Sequence, residues 1–154
     1  MSTTLILGIG NTLLSDEGIG IHVIDYLRTN HPNAGEITYL DGGTLSFTLA
    51  GPIAKHDNLI VIDAANLDAP AGSIHTFTGQ AMDQYLTGNR QSVHEVGLTD
   101  LLDIARLSDT YPKQRALISI QPKLIDWGEQ PTPEVARAIN DAASSALQLH
   151  LAWQ

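Results

Sequence analysis

Leu5-Ile6-Leu7-Gly8-Ile9 runs into Gly10-Asn11, and beyond Ser15 the chain reads Asp16-Glu17-Gly18-Ile19-Gly20. The first five residues are nearly all apolar, the pattern of a strand buried on both faces. From Asp16 to Arg28 the apolar residues Ile19, Val23, Ile24 and Leu27 recur at helical spacing. A buried strand, a glycine turn and an amphipathic helix, in that order, open an α/β unit around a parallel sheet. Ser15 is the expected N-cap of the helix.

Three more segments carry the same buried-strand character: Ile37 to Leu40, Leu59 to Ile62 and Ala116 to Ile120. Ser73 to Phe77 reads as a further strand, an antiparallel edge. Helical patterns fill the intervals. Leu45 to Lys55 is interrupted by Pro52, and Ala81 to Leu86 is short. Thr99 to Leu107 has a capping Thr ahead of Leu101, Leu102 and Ala105. In the last helix Thr132 is the expected cap and Pro133 the first helical residue, with Val135, Ile139, Ala142, Ala146 and Leu149 on one face. This alternation predicts an α/β three-layer sandwich: a twisted, mainly parallel sheet of about five strands with helices on both faces. Residues 1–154 suit a single domain, which at this length buries about two thirds of its unfolded surface. Ligands bind such sheets beyond the carboxyl ends of the strands, where the winding reverses. With a strand order beginning 2-1-3, that point lies between Leu5 to Ile9 and Leu59 to Ile62.

Two carboxylates belong to that point. Glu17 opens the first helix, where the helix dipole and unpaired N–H groups favour an ionised carboxylate, and Asp63 leaves the strand that ends Val61-Ile62. Of six histidines, His94 is the one placed to face the crevice, after a polar loop and just ahead of a helix. One imidazole and two carboxylates form a three-ligand metal set that leaves positions open for water or substrate, as a catalytic site requires. The mixed N and O donors are compatible with zinc, nickel, manganese or iron.

Composition narrows the alternatives. Eight Lys and Arg against seventeen Asp and Glu give a net charge of −9, which disfavours nucleic acid and membrane-surface partners. With no cysteine there is no thiolate nucleophile, disulfide or Cys-ligated metal. The first residues lack a basic signal-peptide region, and no run approaches the roughly 18 apolar residues of a membrane span, so a cytoplasmic location is expected. Gly8-Ile9-Gly10 resembles the opening of a dinucleotide fingerprint, but Leu13 stands where the third glycine belongs. A nucleotide-binding module is thereby the remote alternative.

Five motifs occur in order: Leu7-Gly8-Ile9-Gly10-Asn11 with Ser15-Asp16-Glu17-Gly18-Ile19-Gly20; Leu40-Asp41-Gly42-Gly43-Thr44; Val61-Ile62-Asp63-Ala64; Ser92-Val93-His94-Glu95-Val96-Gly97-Leu98; and Ile120-Gln121-Pro122 with Asp126-Trp127-Gly128. Over nearly the whole chain they resemble the hydrogenase maturation endopeptidases, which trim the large subunit of nickel-iron hydrogenases. The resemblance implies that Glu17, Asp63 and His94 bind the metal and carry the catalysis, and that Asp41, Gly42 and Gly43 recognise substrate. It implies cleavage of the large-subunit precursor near its C-terminus after nickel insertion, with the divalent metal either resident or supplied as nickel already bound in the substrate. A monomer is expected. The nearer alternative is a non-catalytic nickel metallochaperone for the same large subunit.

Overall fold

In the computed structural model, residues 2–32, 35–88 and 93–154 are described, and for residues 93–96 the backbone alone. Five strands form one sheet: β1 (Thr4–Gly8), β2 (Ile37–Asp41), β3 (Asn58–Ala64), β4 (Ile74–Thr78) and β5 (Gln114–Ile120). Their order is β2-β1-β3-β5-β4, so the 2-1-3 start is present and the winding reverses at β1. All pairings are parallel except that of β4 with β5, which makes β4 the antiparallel edge that Ser73 to Phe77 suggested.

Successive residues of the buried strands face opposite layers, which is why their sequences read as unbroken apolar runs. Ile6, Ile60, Ile62 and Ile118 pack with Ile19, Val23, Ile24 and Leu27 of α1 (Ile19–Asn30) and with Ala138, Ala142 and Ala146 of the C-terminal helix. Leu5, Leu7, Leu59, Val61 and Leu117 face the other layer. Its helices are α2 (Ala50–Ala54), α3 (Gly79–Gly88) and α4 (Val93–Leu107), which contribute Ile53, Met82, Leu86, Leu98, Leu101 and Leu102. Among the described residues, no helix is long and apolar enough to cross a membrane.

Three helix starts depart from the sequence expectations in position or in capping. Ser15–Gly18 form a 3₁₀ turn ahead of α1, and Ser15 makes no side-chain cap; at φ 53° its hydroxyl donates to the Asp126 carbonyl at 2.8 Å. Helix α4 starts at Val93, so Thr99 lies inside it and His94 is in its first turn instead of ahead of it. Thr132 precedes α5 (Pro133–Ala136) as expected, but its hydroxyl donates to the Asp16 carboxylate instead of capping. A break at Arg137 then separates α5 from α6 (Ala138–Ala152). The helix expected over Leu45 to Lys55 is reduced to a 3₁₀ turn, Phe47–Leu49, and α2, with Pro52 within the short helix.

One glycine sets how low α1 sits on the sheet. A Cβ at Gly20 would come within 2.2 Å of the Ile62 carbonyl oxygen and 2.5 Å of that of Ile9, so nothing larger fits between α1 and the ends of β1 and β3. In an unconstrained helix Gly→Ala is stabilising by about 1 kcal/mol. Here the sign should reverse. Gly20→Ala is expected to destabilise by about 1–3 kcal/mol, since backbone must move to admit the methyl group. Urea unfolding checks it: the midpoint should fall with an unchanged slope, and a raised midpoint would mean the close approach is dispensable.

Candidate active site

The chain leaves β1 and β3 side by side. The Ile9 N–H donates to the Ile62 carbonyl at 3.0 Å, extending the β1–β3 pairing to the residue just before Asp63. Gly10 (φ 147°) then lets the chain fold back under the 3₁₀ turn, because a Cβ there would lie 2.1 Å from the Glu17 carbonyl oxygen. Gly8 is likewise filled from above, by the Gly20 carbonyl and Ile24. These glycines serve close packing of the turn and α1, and the space a phosphate would need against their backbone is taken by the chain itself.

Glu17 is half-buried on that turn, which lies against β3, and its Oε2 accepts the Asn11 N–H at 2.5 Å. Asp63 is buried at 3% exposure, and its Oδ1 accepts the Ala64 N–H at 2.8 Å. By strand alternation Asp63 shares the side of Leu59 and Val61, the α2–α3–α4 layer. Each carboxylate is therefore fixed by a backbone donor, the kind of outer hydrogen bond that orients a metal ligand. His94 is four residues, one helical turn, before the buried Leu98 of α4; its side chain lies outside the described residues. Among the described residues, no three His, Asp or Glu side chains cluster as a metal site, and what the structure places here is two oriented carboxylates, oxygen donors of the kind a divalent metal takes.

The expected substrate segment sits on the other flank of β1. Asp41 ends β2, is exposed, and accepts the Gly43 N–H at 2.9 Å, closing a turn on Gly43 at φ 55°. Two hydrogen bonds of 2.8 Å, Gly42 N–H to the Gly8 carbonyl and Gly10 N–H to that of Gly43, tie this turn to the loop after β1. Beyond it a cleft of about 170 Å³ opens between Thr44 to Phe47 and Gly97, Asp100 and Leu101 of α4. The structure thus brings Glu17, Asp63 and the Asp41-Gly42-Gly43 turn to the carboxyl end of the sheet, across β2, β1 and β3.

One residue escaped the sequence reading. Asp16 is fully buried beside Glu17 and accepts hydrogen bonds from the backbone N–H groups of Lys123 (2.8 Å), Leu124 (2.9 Å) and Thr132 (2.6 Å), besides the Thr132 hydroxyl. Burial pushes its pKa up, but the donors from Leu124, Thr132 and Lys123 outweigh this and hold the carboxyl below the ordinary range. In return the Asp16 N–H donates to the Leu124 carbonyl, the Ser15 N–H to that of Gly128 and the Gly128 N–H to that of Leu13. The turn bearing Glu17 and the segment from Lys123 to Thr132 are consequently one hydrogen-bonded unit. Local sequence holds no signal of this, because the partners lie 107 to 116 positions away.

Comparison with known proteins places this architecture. The model of the hydrogenase maturation protease family matches residues 21–149. The hydrogenase 2 maturation protease of Escherichia coli is 32% identical over 145 residues, which cover 93% of this chain and 87% of that protein. A hydrogenase expression/formation protein of Thiocapsa roseopersicina is also 32% identical over 145 residues, 94% of this chain but 66% of the longer relative. Among solved structures, the hydrogenase maturating endopeptidase HybD from Escherichia coli superposes with a TM-score of 0.83 at 29% identity, covering 94% of this chain and 89% of that one. The [NiFe] hydrogenase maturation protease HybD from Thermococcus kodakarensis gives 0.81 at 26% identity, covering 96% and 98%. By its sequence and by its fold, the chain belongs to the hydrogenase maturation protease family, a family of peptidases.

Proposed function

We propose that this protein is an endopeptidase that removes the C-terminal extension of a nickel-iron hydrogenase large-subunit precursor once nickel has been inserted, with Glu17, Asp63 and His94 as its metal-holding and catalytic residues. The observation that carries this reading is the pair of carboxylates, Glu17 on the turn after β1 and Asp63 near the end of β3, each oriented by a backbone N–H at the reversal point of the sheet. A divalent metal bound there supplies Lewis acidity at the scissile carbonyl, or acidifies a water. The chain's own part is to present two carboxylates and an imidazole, to hold the peptide along the Asp41-Gly42-Gly43 turn, and to relay the attacking water's proton to the leaving amine. In this reading nickel arrives with the precursor, so that cleavage reports metal loading. The enzyme acts as a cytoplasmic monomer, and its charge of −9 agrees with a partner that is neither nucleic acid nor anionic membrane.

The test is intact mass spectrometry of nickel-loaded and nickel-free large-subunit precursor after incubation with the purified protein. Loss of a C-terminal peptide from the loaded form alone is expected. An unchanged mass with a cognate loaded precursor would replace the peptidase reading by that of a metallochaperone, and equal trimming of both forms would remove nickel from the recognition step.

A further inference from the structure

Most exposed large apolar side chains of a soluble protein are scattered, and a group of them on one rigid support marks an interaction site. Leu13 (51% exposed), Leu124 (47%), Ile125 (57%) and Trp127 (79%) are such a group. They lie on the two segments that Asp16 clamps together. The parallel bridge between Leu14 and Gly128 aligns Leu13 with Trp127, and the Asp16 N–H bonded to the Leu124 carbonyl fixes the next part of the segment. Trp127 stands on a chain whose neighbour Asp126 is fastened at its carbonyl by the Ser15 hydroxyl and at its carboxylate by the Trp127 N–H. An apolar group held this firmly is preorganised, which lowers the ordering cost of association.

We propose that Leu13, Leu124, Ile125 and Trp127 form a docking surface for the folded body of the protein substrate, received through an apolar spot flanked by basic side chains. The inference rests on the function proposed above. Two observations select this occupant. First, the surface is continuous with the candidate active site: Leu13 lies two residues before the turn that bears Glu17, so a protein seated here has its tail within reach of the ends of β1 and β3. Second, the surface is acidic at its rim. Asp126 and Glu129 are exposed, whereas Lys123, the only cation between residues 122 and 132, is paired with Glu134. A partner with Lys or Arg around its apolar spot meets that rim favourably, but a second copy of this chain would bring the same carboxylates against it.

Binding of the purified large-subunit precursor is measured for the wild-type protein, for Trp127→Ala and for Leu151→Ala. Leu151 is a matched control, 70% exposed on α6 near the chain's N-terminal residues, at the opposite end of the sheet. Trp127→Ala is expected to weaken the precursor's Kd by about tenfold or more, as a buried aromatic anchor does. It should leave kcat at saturating precursor and the melting temperature unchanged. Leu151→Ala should bind as wild type does. An unchanged Kd for Trp127→Ala, an equal loss for Leu151→Ala, or no binding by the wild-type protein would each overturn the docking surface. Concentration-dependent dimerisation that Trp127→Ala abolishes would assign the surface to a second copy and overturn it too. If wild type binds the precursor through Trp127 yet leaves its mass unchanged, the docking surface stands and the peptidase reading fails.

Discussion

Glu17→Gln is expected to lower the rate of precursor trimming by about 10²–10⁴-fold, the range of a positioned acid–base group, without loss of fold. The substitution keeps shape and keeps an amide oxygen able to accept the Asn11 N–H, so the turn over β1 has no reason to move. What it removes is the negative charge that the proposed metal holding and proton relay would require. Asp63→Asn makes the same argument from the other strand, with its amide oxygen still able to accept the Ala64 N–H. Under the proposed function the two groups act on one metal and one proton and hence as a unit, so the double variant should be little worse than either single one. Timed mass spectrometry on nickel-loaded precursor measures the rates, and thermal melts establish folding. Trimming within tenfold of wild type in either single variant would remove that carboxylate from the catalytic set. A multiplicative loss in the double variant would show that the two act separately.

The positions of the two candidate carboxylates at one end of the sheet were legible in the sequence because of where they stand in the chain. Asp63 directly follows an apolar run that can only be a buried strand, Glu17 lies where the chain turns into a helix after the first such run, and a parallel sheet has one end at which such residues gather. Four strands were legible for the same reason. Capping was less legible. Ser15 and Thr132 have the composition of N-caps, but their hydroxyls are drawn to Asp126 and Asp16, partners that no local pattern contains. Thr99 misled similarly: a threonine before an apolar stripe reads as a start, whereas α4 continues back through Gly97 to Val93. Gly97 costs the helix some intrinsic propensity, and it lies where a Cβ would come within 3.1 Å of Leu45 beside the cleft, so tertiary packing outranks propensity at that position. His94 was legible as a candidate through its motif, and the backbone moves it from a loop into the first turn of a helix.

Asp16 was invisible in the sequence for the deepest reason, since a carboxylate next to Glu17 reads as a second first-turn acid. Its contribution to stability is expected to be large. Asp16→Ala would leave the N–H groups of Lys123, Leu124 and Thr132 and the Thr132 hydroxyl without their acceptor. Hydrogen bonds to a charged acceptor are each worth about 1.5–3 kcal/mol, and bonds that share one acceptor lose less than their sum, which gives an expected destabilisation of about 3–5 kcal/mol. The pH dependence separates this mechanism from simple loss of packing. The folded-state pKa of Asp16 is depressed, so its contribution is fully present above the unfolded value of about 4 and disappears as pH falls through the lower folded value. Urea midpoints of wild type and Asp16→Ala should accordingly differ most between pH 5 and 7 and converge in acid, where the wild-type carboxyl takes up its proton. A difference that stays constant down to pH 2 would mean that charge at Asp16 does not hold the clamp. If the difference behaves as expected, precursor binding by Asp16→Ala under conditions where it remains folded should also weaken, because the segment bearing Trp127 is then no longer fastened to the turn bearing Glu17.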